Sequence, residues 1–199
     1  MSTENTLSTI VDSLDESLPK MLREERLKRD WSLTDLANNS GVSRAMVHKL
    51  ETGKSSPTAA LLGKLSGAFG LTVSQLLNSS DSLEKASFVR KADRRVWQDP
   101  ETGYLREQVV GGAKAGEGNG IDIVRVTLPP GQTVDYPSES FRFIRQSVLV
   151  EKGNLQFREG KKNYDMMPGD CLSLGAPEDC QFHNSTSEPC TYLVVVYRQ

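Results

Sequence analysis

Between Leu18 and Leu77 the apolar residues recur at spacings of three and four: Leu18, Met21/Leu22, Leu33, Leu36/Ala37, Val47, Leu50, Leu61/Leu62, Leu65, Phe69 and Leu76. That period gives each segment one apolar face and predicts helices. Punctuation falls between the runs. Ser32 and Asp35 form an S-x-x-D box that opens a helix over Leu33–Asn38, and Gly41 is placed to end it. Ser43 can cap a second short helix, Arg44–Glu51, which Thr52-Gly53 closes. Pro57-Thr58 precedes a further helix ended by Gly70, and Thr72 starts a short last one. Five short helices are expected.

Past this region the pattern changes. Asn78-Ser79-Ser80-Asp81-Ser82 is polar and low in complexity. Beyond it the period falls to two: Ile121/Ile123 against Asp122, Phe141/Phe143 against Arg142, and a run of LVVVY near the end. Gly, Pro and Asn clusters cut this half at regular intervals, including Pro129-Pro130-Gly131, Gly153-Asn154 and Pro168-Gly169. Short strands with regular turns predict an all-β double-sheet sandwich or barrel. The expected organisation is therefore two domains, all-α over 16–78 and all-β over 86–199, with 79–85 as linker.

Composition narrows the function. No apolar run of the 199 residues reaches the eighteen or so needed to span a bilayer. The acidic start, without a basic stretch, is not expected to be a secretory signal. Cys171, Cys180 and Cys190 make an odd count with no C-x-x-C spacing, which speaks against a disulfide framework and fits a reducing cytoplasm. Two histidines leave little material for imidazole-rich metal sites. The net charge of -2 divides unevenly: residues 1–15 carry -3 and residues 16–78 carry +3. A basic island between acidic flanks suggests an anionic partner.

The segment from Trp31 to Pro57 carries the sharpest chemistry. A short helix, a tight turn through Gly41 and a second short helix form a helix-turn-helix. With Val42, Val47 and Leu50 turned inward, the second helix presents Ser43, Arg44, Ala45, His48 and Lys49. Arg44 suits a guanine edge, Ala45 a thymine methyl, and His48 and Lys49 bases or phosphates, with an exposed residue of no special role as the alternative for His48. Thr34, Lys54 and Ser55 suit phosphate contacts that set register. Here the chain resembles the lambda-repressor-like, or xenobiotic-response-element, helix-turn-helix domains, through Ser32–Ala37, Ser40–Ser43 and Leu50–Pro57. It departs in carrying Leu33-Thr34 where many members have Gln. The resemblance implies binding to a double-stranded DNA operator.

The second half resembles a cupin. The anchors are LPPG at Leu128–Gly131, the run Val148–Phe157, PGD at Pro168–Asp170 and Asn184. By that resemblance the family's metal-ligand positions fall on Ser140, Arg142, Gln146 and Cys180. An alternative spacing puts the first two on Glu139 and Phe141, and strand parity favours the former. Such a set is not expected to hold a transition metal. No cofactor is expected. Instead Arg142 is expected inside the barrel, either binding a small anionic metabolite with Ser140 and Gln146 or pairing with a barrel carboxylate in a filled interior. Cys180 is open to three readings: a buried apolar residue, a redox thiolate near Arg142, or part of a zinc site with Cys171, Cys190 and His183.

Taken together, the expectation is a cytoplasmic, dimeric transcriptional regulator whose cupin-like barrel senses a small-molecule effector, with no membrane attachment and no catalysis. The rivals are a cupin enzyme and a protein-interaction module tethered to a helix-turn-helix domain.

Overall fold

The computed structural model describes residues 17–77, 88–111 and 120–198. The expected linker, 79–85, lies outside the described residues. The α-domain has α1 (17–27), α2 (Leu33–Ser40), α3 (Arg44–Glu51), α4 (Ala59–Phe69) and α5 (Val73–Leu77). Capping follows the local sequence. The Asp35 amide donates to Ser32 Oγ at 3.2 Å while the Ser32 amide donates to the Asp35 carboxylate at 2.8 Å. Hydrogen bonding from the Ser32 side chain, and second from the Ser32 amide, holds the exposed Asp35 carboxyl below its ordinary range. Helix α2 runs two residues beyond its expected end, its last turn closed by the Gly41 amide donating to the Ala37 carbonyl at 2.9 Å. Gly41 then closes it at φ 66°, a left-handed conformation that a Cβ would penalise. Leu22, Leu36, Val47, Leu50, Leu62 and Leu65 bury the shared face.

Ten strands follow. β1 (Val96–Gln98), β2 (Leu105–Val110), β3 (Ile121–Leu128), β5 (Ile144–Lys152), β8 (Cys171–Ser173) and β10 (Cys190–Arg198) form one sheet in the order β1-β2-β3-β10-β5-β8. β4 (Thr133–Tyr136), β6 (Leu155–Glu159), β7 (Lys162–Met166) and β9 (Cys180–His183) form the other, in the order β4-β9-β6-β7. All pairings are antiparallel. The two sheets enclose Val124, Val126, Leu128, Val148, Phe157, Phe182 and Tyr192. Phe182 stacks on Tyr192 at 5.5 Å and meets Phe157 edge-on at 4.7 Å, so aromatic rings fill much of the interior.

Two of the alternations expected from sequence come out differently. On β3 it is Asp122 that faces inward with Val124, Val126 and Leu128, while Ile121 is exposed. The burial of a carboxylate is met by the helical domain: Thr72 Oγ1 donates to Asp122 Oδ2 at 3.0 Å. The Phe141–Phe143 stretch is not a strand at all. Residues Ser138–Phe141 form a 3-10 turn, with Phe141 buried and Phe143 exposed.

That turn is where the domains meet. Helix α4 packs on it and on β4, with two glycines at the contact. A Cβ on Gly63 would lie 2.7 Å from the Tyr136 ring, and one on Gly67 2.8 Å from the Glu139 carbonyl oxygen. The start of α4 is also tied down from the barrel side. Thr58 caps it within the chain segment, and the buried Asp99 accepts the Ala59 amide proton at 2.6 Å. Arg106 on β2 reaches the other way and donates to Ser74 Oγ on α5 at 3.0 Å.

Candidate functional site

Helix α3 is held by its buried side and exposed on the other. Val47 and Leu50 are buried, and Ser43 caps the helix by accepting the Met46 amide proton at 3.3 Å. At its C-terminal end a forked ion pair anchors it to α1. Arg26 Nε and Nη2 donate to the two oxygens of Glu51 at 2.7 and 2.8 Å, and Arg26 Nη1 donates to the Trp31 carbonyl at 2.7 Å. Both side chains are nearly enclosed, at 11% and 6% exposure. Three elements are thereby locked at fixed angles. The outer face carries Ser43, Arg44, Ala45, His48 and Lys49, all exposed, with Thr34 and Lys54 exposed beside them and Ser55 half-buried. Ser43 is committed to its cap, so its hydroxyl already has a backbone partner. Sequence inspection missed Arg26, although Glu51 lay within the motif it recognised.

The barrel differs from the expected arrangement at its central residue. Arg142 is not in the interior. It follows the 3-10 turn with helical backbone angles, its side chain is 61% exposed, and its nearest carboxylate is Glu139 at 3.5 Å. The parity argument failed because residues 140–142 are not on a strand. The buried guanidinium belongs to Arg106, which is 8% exposed. Its signal in the sequence was weak: an arginine two places beyond Tyr104 in a segment with little alternation.

A cavity lies beside Arg106, lined by Tyr104, Tyr136, Ser140, Gln146 and Phe182 from the barrel and by Thr72 and Val73 from the helical domain. Space for water-sized molecules within it amounts to about 40 Å³. Ser140 and Gln146 are thus brought together, whereas Cys180 lines a smaller neighbouring recess that shares Phe141, Ile144 and Gln146.

Cys180 is buried, and burial, helped by Glu159 and Asp179, pushes its thiol up to about 12. Burial likewise raises Cys190 to about 11, while Cys171 is exposed. A redox thiolate beside Arg142 therefore has no basis in the geometry. Nor do the residues present fit a metal. The positions that the cupin resemblance assigns to ligands hold a hydroxyl, an outward guanidinium, an amide and a protonated thiol. Among the described residues no three His, Cys, Asp or Glu side chains gather into a site. His183, part of the zinc alternative, instead bonds through Nδ1 to the Thr133 hydroxyl at 2.8 Å.

Fold and site together define a helix-turn-helix domain followed by a cupin-type barrel. Residues 22–76 match the helix-turn-helix family HTH_3. The HTH-type transcriptional regulator SutR of Escherichia coli (strain K12) is 35% identical over 72 residues, which cover 36% of this chain and 40% of SutR. A crystal structure of an HTH_3 family transcriptional regulator from Vibrio cholerae has the same two-domain fold. It shows 19% identity and a TM-score of 0.75 over 94% of this chain and 98% of that one. A Cupin_2 domain of an XRE family transcriptional regulator from Enterobacter cloacae aligns at a TM-score of 0.41 and 14% identity, over 47% of this chain and 94% of that domain. Among the described residues, no helix is long and apolar enough to cross a membrane.

Proposed function

We propose that this protein is a cytoplasmic, sequence-specific DNA-binding transcriptional regulator, and that its barrel senses a small anionic metabolite rather than catalysing a reaction. The observation that carries the DNA-binding part is the outer face of α3. Four groove-compatible side chains, Arg44, Ala45, His48 and Lys49, are exposed on a helix that Ser43 caps and whose other side is locked by Val47, Leu50 and the Arg26–Glu51 fork. Arg44 would read a guanine edge and Ala45 a thymine methyl, with His48 and Lys49 at neighbouring bases or phosphates. Thr34, Lys54 and Ser55 would fix the register on the backbone. A homodimer would present two such helices to half-sites one helical turn apart, and avidity would supply most of the affinity of a weakly basic reader. The sensing part is supported by the cavity with Ser140 and Gln146 beside a buried arginine.

The test uses a duplex selected by the wild-type protein from a random pool. Arg44→Ala should weaken binding to that duplex by about 1–3 kcal/mol, roughly five- to 150-fold, and relax preference at one base pair. Fluorescence anisotropy at moderate salt reads both quantities. Equal affinity of wild type and variant would remove Arg44 from the reading face.

A further inference from the structure

Arg106 is buried and only partly satisfied. Its Nη2 donates to Ser74 Oγ, but its Nε has no acceptor among the described residues. The Ser140 hydroxyl, enclosed in the same way, has none either. Both residues line the cavity at the seam between the domains, together with the Gln146 side chain. The Tyr104 and Tyr136 hydroxyls and the Asp122 carboxylate lie near the guanidinium, yet Arg106 Nε and Ser140 Oγ remain without a partner, and two unmade hydrogen bonds at one cavity call for the same occupant.

The chemistry and size of the space specify that occupant. A guanidinium edge and a hydroxyl offer hydrogen-bond donors to an oxyanion, and a planar carboxylate matches the guanidinium fork. One water needs roughly 10–15 Å³ of such space, so a cavity of about 40 Å³ takes a carboxylate with a very short carbon tail. Beyond the Tyr104 and Tyr136 rings, the wall is made by Phe141, Ile144, Phe182, Val194 and Val196, an apolar side that suits that tail. A phosphate would bring more charged oxygens than this wall can satisfy.

We propose that Arg106, Ser140 and Gln146 form a receptor for the carboxylate of a small organic acid, roofed by Thr72 and Val73 of the DNA-reading domain. The inference rests on the effector-sensing part of the function proposed above and gives it a ligand class and a place. Because the roof and the Ser74 bond come from α5 and the residue before it, filling the receptor favours the docked arrangement of the two domains. A ligand shifts an equilibrium only through contacts that differ between its two states, and these contacts exist only when the seam is closed.

Hydrogen exchange of the full-length protein in sodium acetate, against sodium chloride at equal ionic strength, provides the test. Acetate should slow exchange in peptides spanning 59–77 and 138–146 in the wild type. Ser140→Ala removes a hydroxyl with no partner, so it should leave exchange in chloride unchanged while weakening the acetate response. Arg106→Lys keeps the charge but loses the guanidinium fork and should abolish the response. Sodium phosphate should give none. If the wild type is indifferent to acetate, the receptor assignment falls, whereas the DNA reading is judged separately by the Arg44 measurement. An acetate response equal in wild type and both variants would also overturn this site, while leaving anion sensing elsewhere in the barrel intact.

Discussion

Glu51→Ala is expected to lower the stability of the helical domain by about 3–5 kcal/mol, the cost of leaving one member of an enclosed ion pair uncompensated. The guanidinium of Arg26 donates to both carboxylate oxygens and to the Trp31 carbonyl, so the loss of Glu51 strands two of its N–H groups. Urea unfolding followed by circular dichroism would show a lower midpoint with little change in slope. The converse change is informative too. Replacing both partners with methionine should restore much of the stability, since an apolar pair of similar volume carries no unpaired charge. DNA affinity should not recover in parallel, because a methionine pair lacks the fork that fixes the angle of α3. A Glu51→Ala protein as stable as the wild type would mean the pair is solvated in solution.

The second large effect concerns Gly67 on α4. In an isolated helix Gly→Ala is favourable by about 1 kcal/mol. Here the added carbon would lie 2.8 Å from the Glu139 carbonyl oxygen and 2.9 Å from its carbonyl carbon, both backbone atoms that cannot swing aside. Overpacking of this kind costs about 1–3 kcal/mol, so the sign should reverse and Gly67→Ala should destabilise. The urea midpoint decides it directly. A midpoint above that of the wild type would mean that the domains stand apart in solution. Gly63 gives a softer version, since its neighbours are the Tyr136 ring and the Ser140 hydroxyl.

What could be read from the chain, and what could not, divides along the range of the interactions. Helix boundaries at Ser32, Gly41, Ser43 and Gly70 were legible because caps are local chemistry, written within four residues. The double-sheet architecture was legible from its short alternating runs and regular turns. Arg142 was misplaced because period two was extended through a segment that folds as a 3-10 turn. Asp122 was placed on the wrong face for a different reason. A buried carboxylate contradicts the alternation rule unless a partner waits inside, and that partner, Thr72, is fifty residues away. Arg26, Asp99 and Arg106 were invisible on the same ground: each matters through a residue distant in sequence, Glu51, Ala59 and Ser74 respectively.

The seam also bears on modularity. Asp99 completes the cap of a helix in the other domain, Asp122 and Arg106 find partners there, and α4 carries two glycines shaped to barrel atoms. A helical domain cut out after Leu77 would lose the Asp99 contact and expose the two glycines of α4. The two domains are then expected to melt as one cooperative unit, with coincident transitions by calorimetry and by circular dichroism. Grafting the helical domain onto a foreign barrel would transplant its fold without the surface that α4 meets here, so the smallest portable unit is the pair.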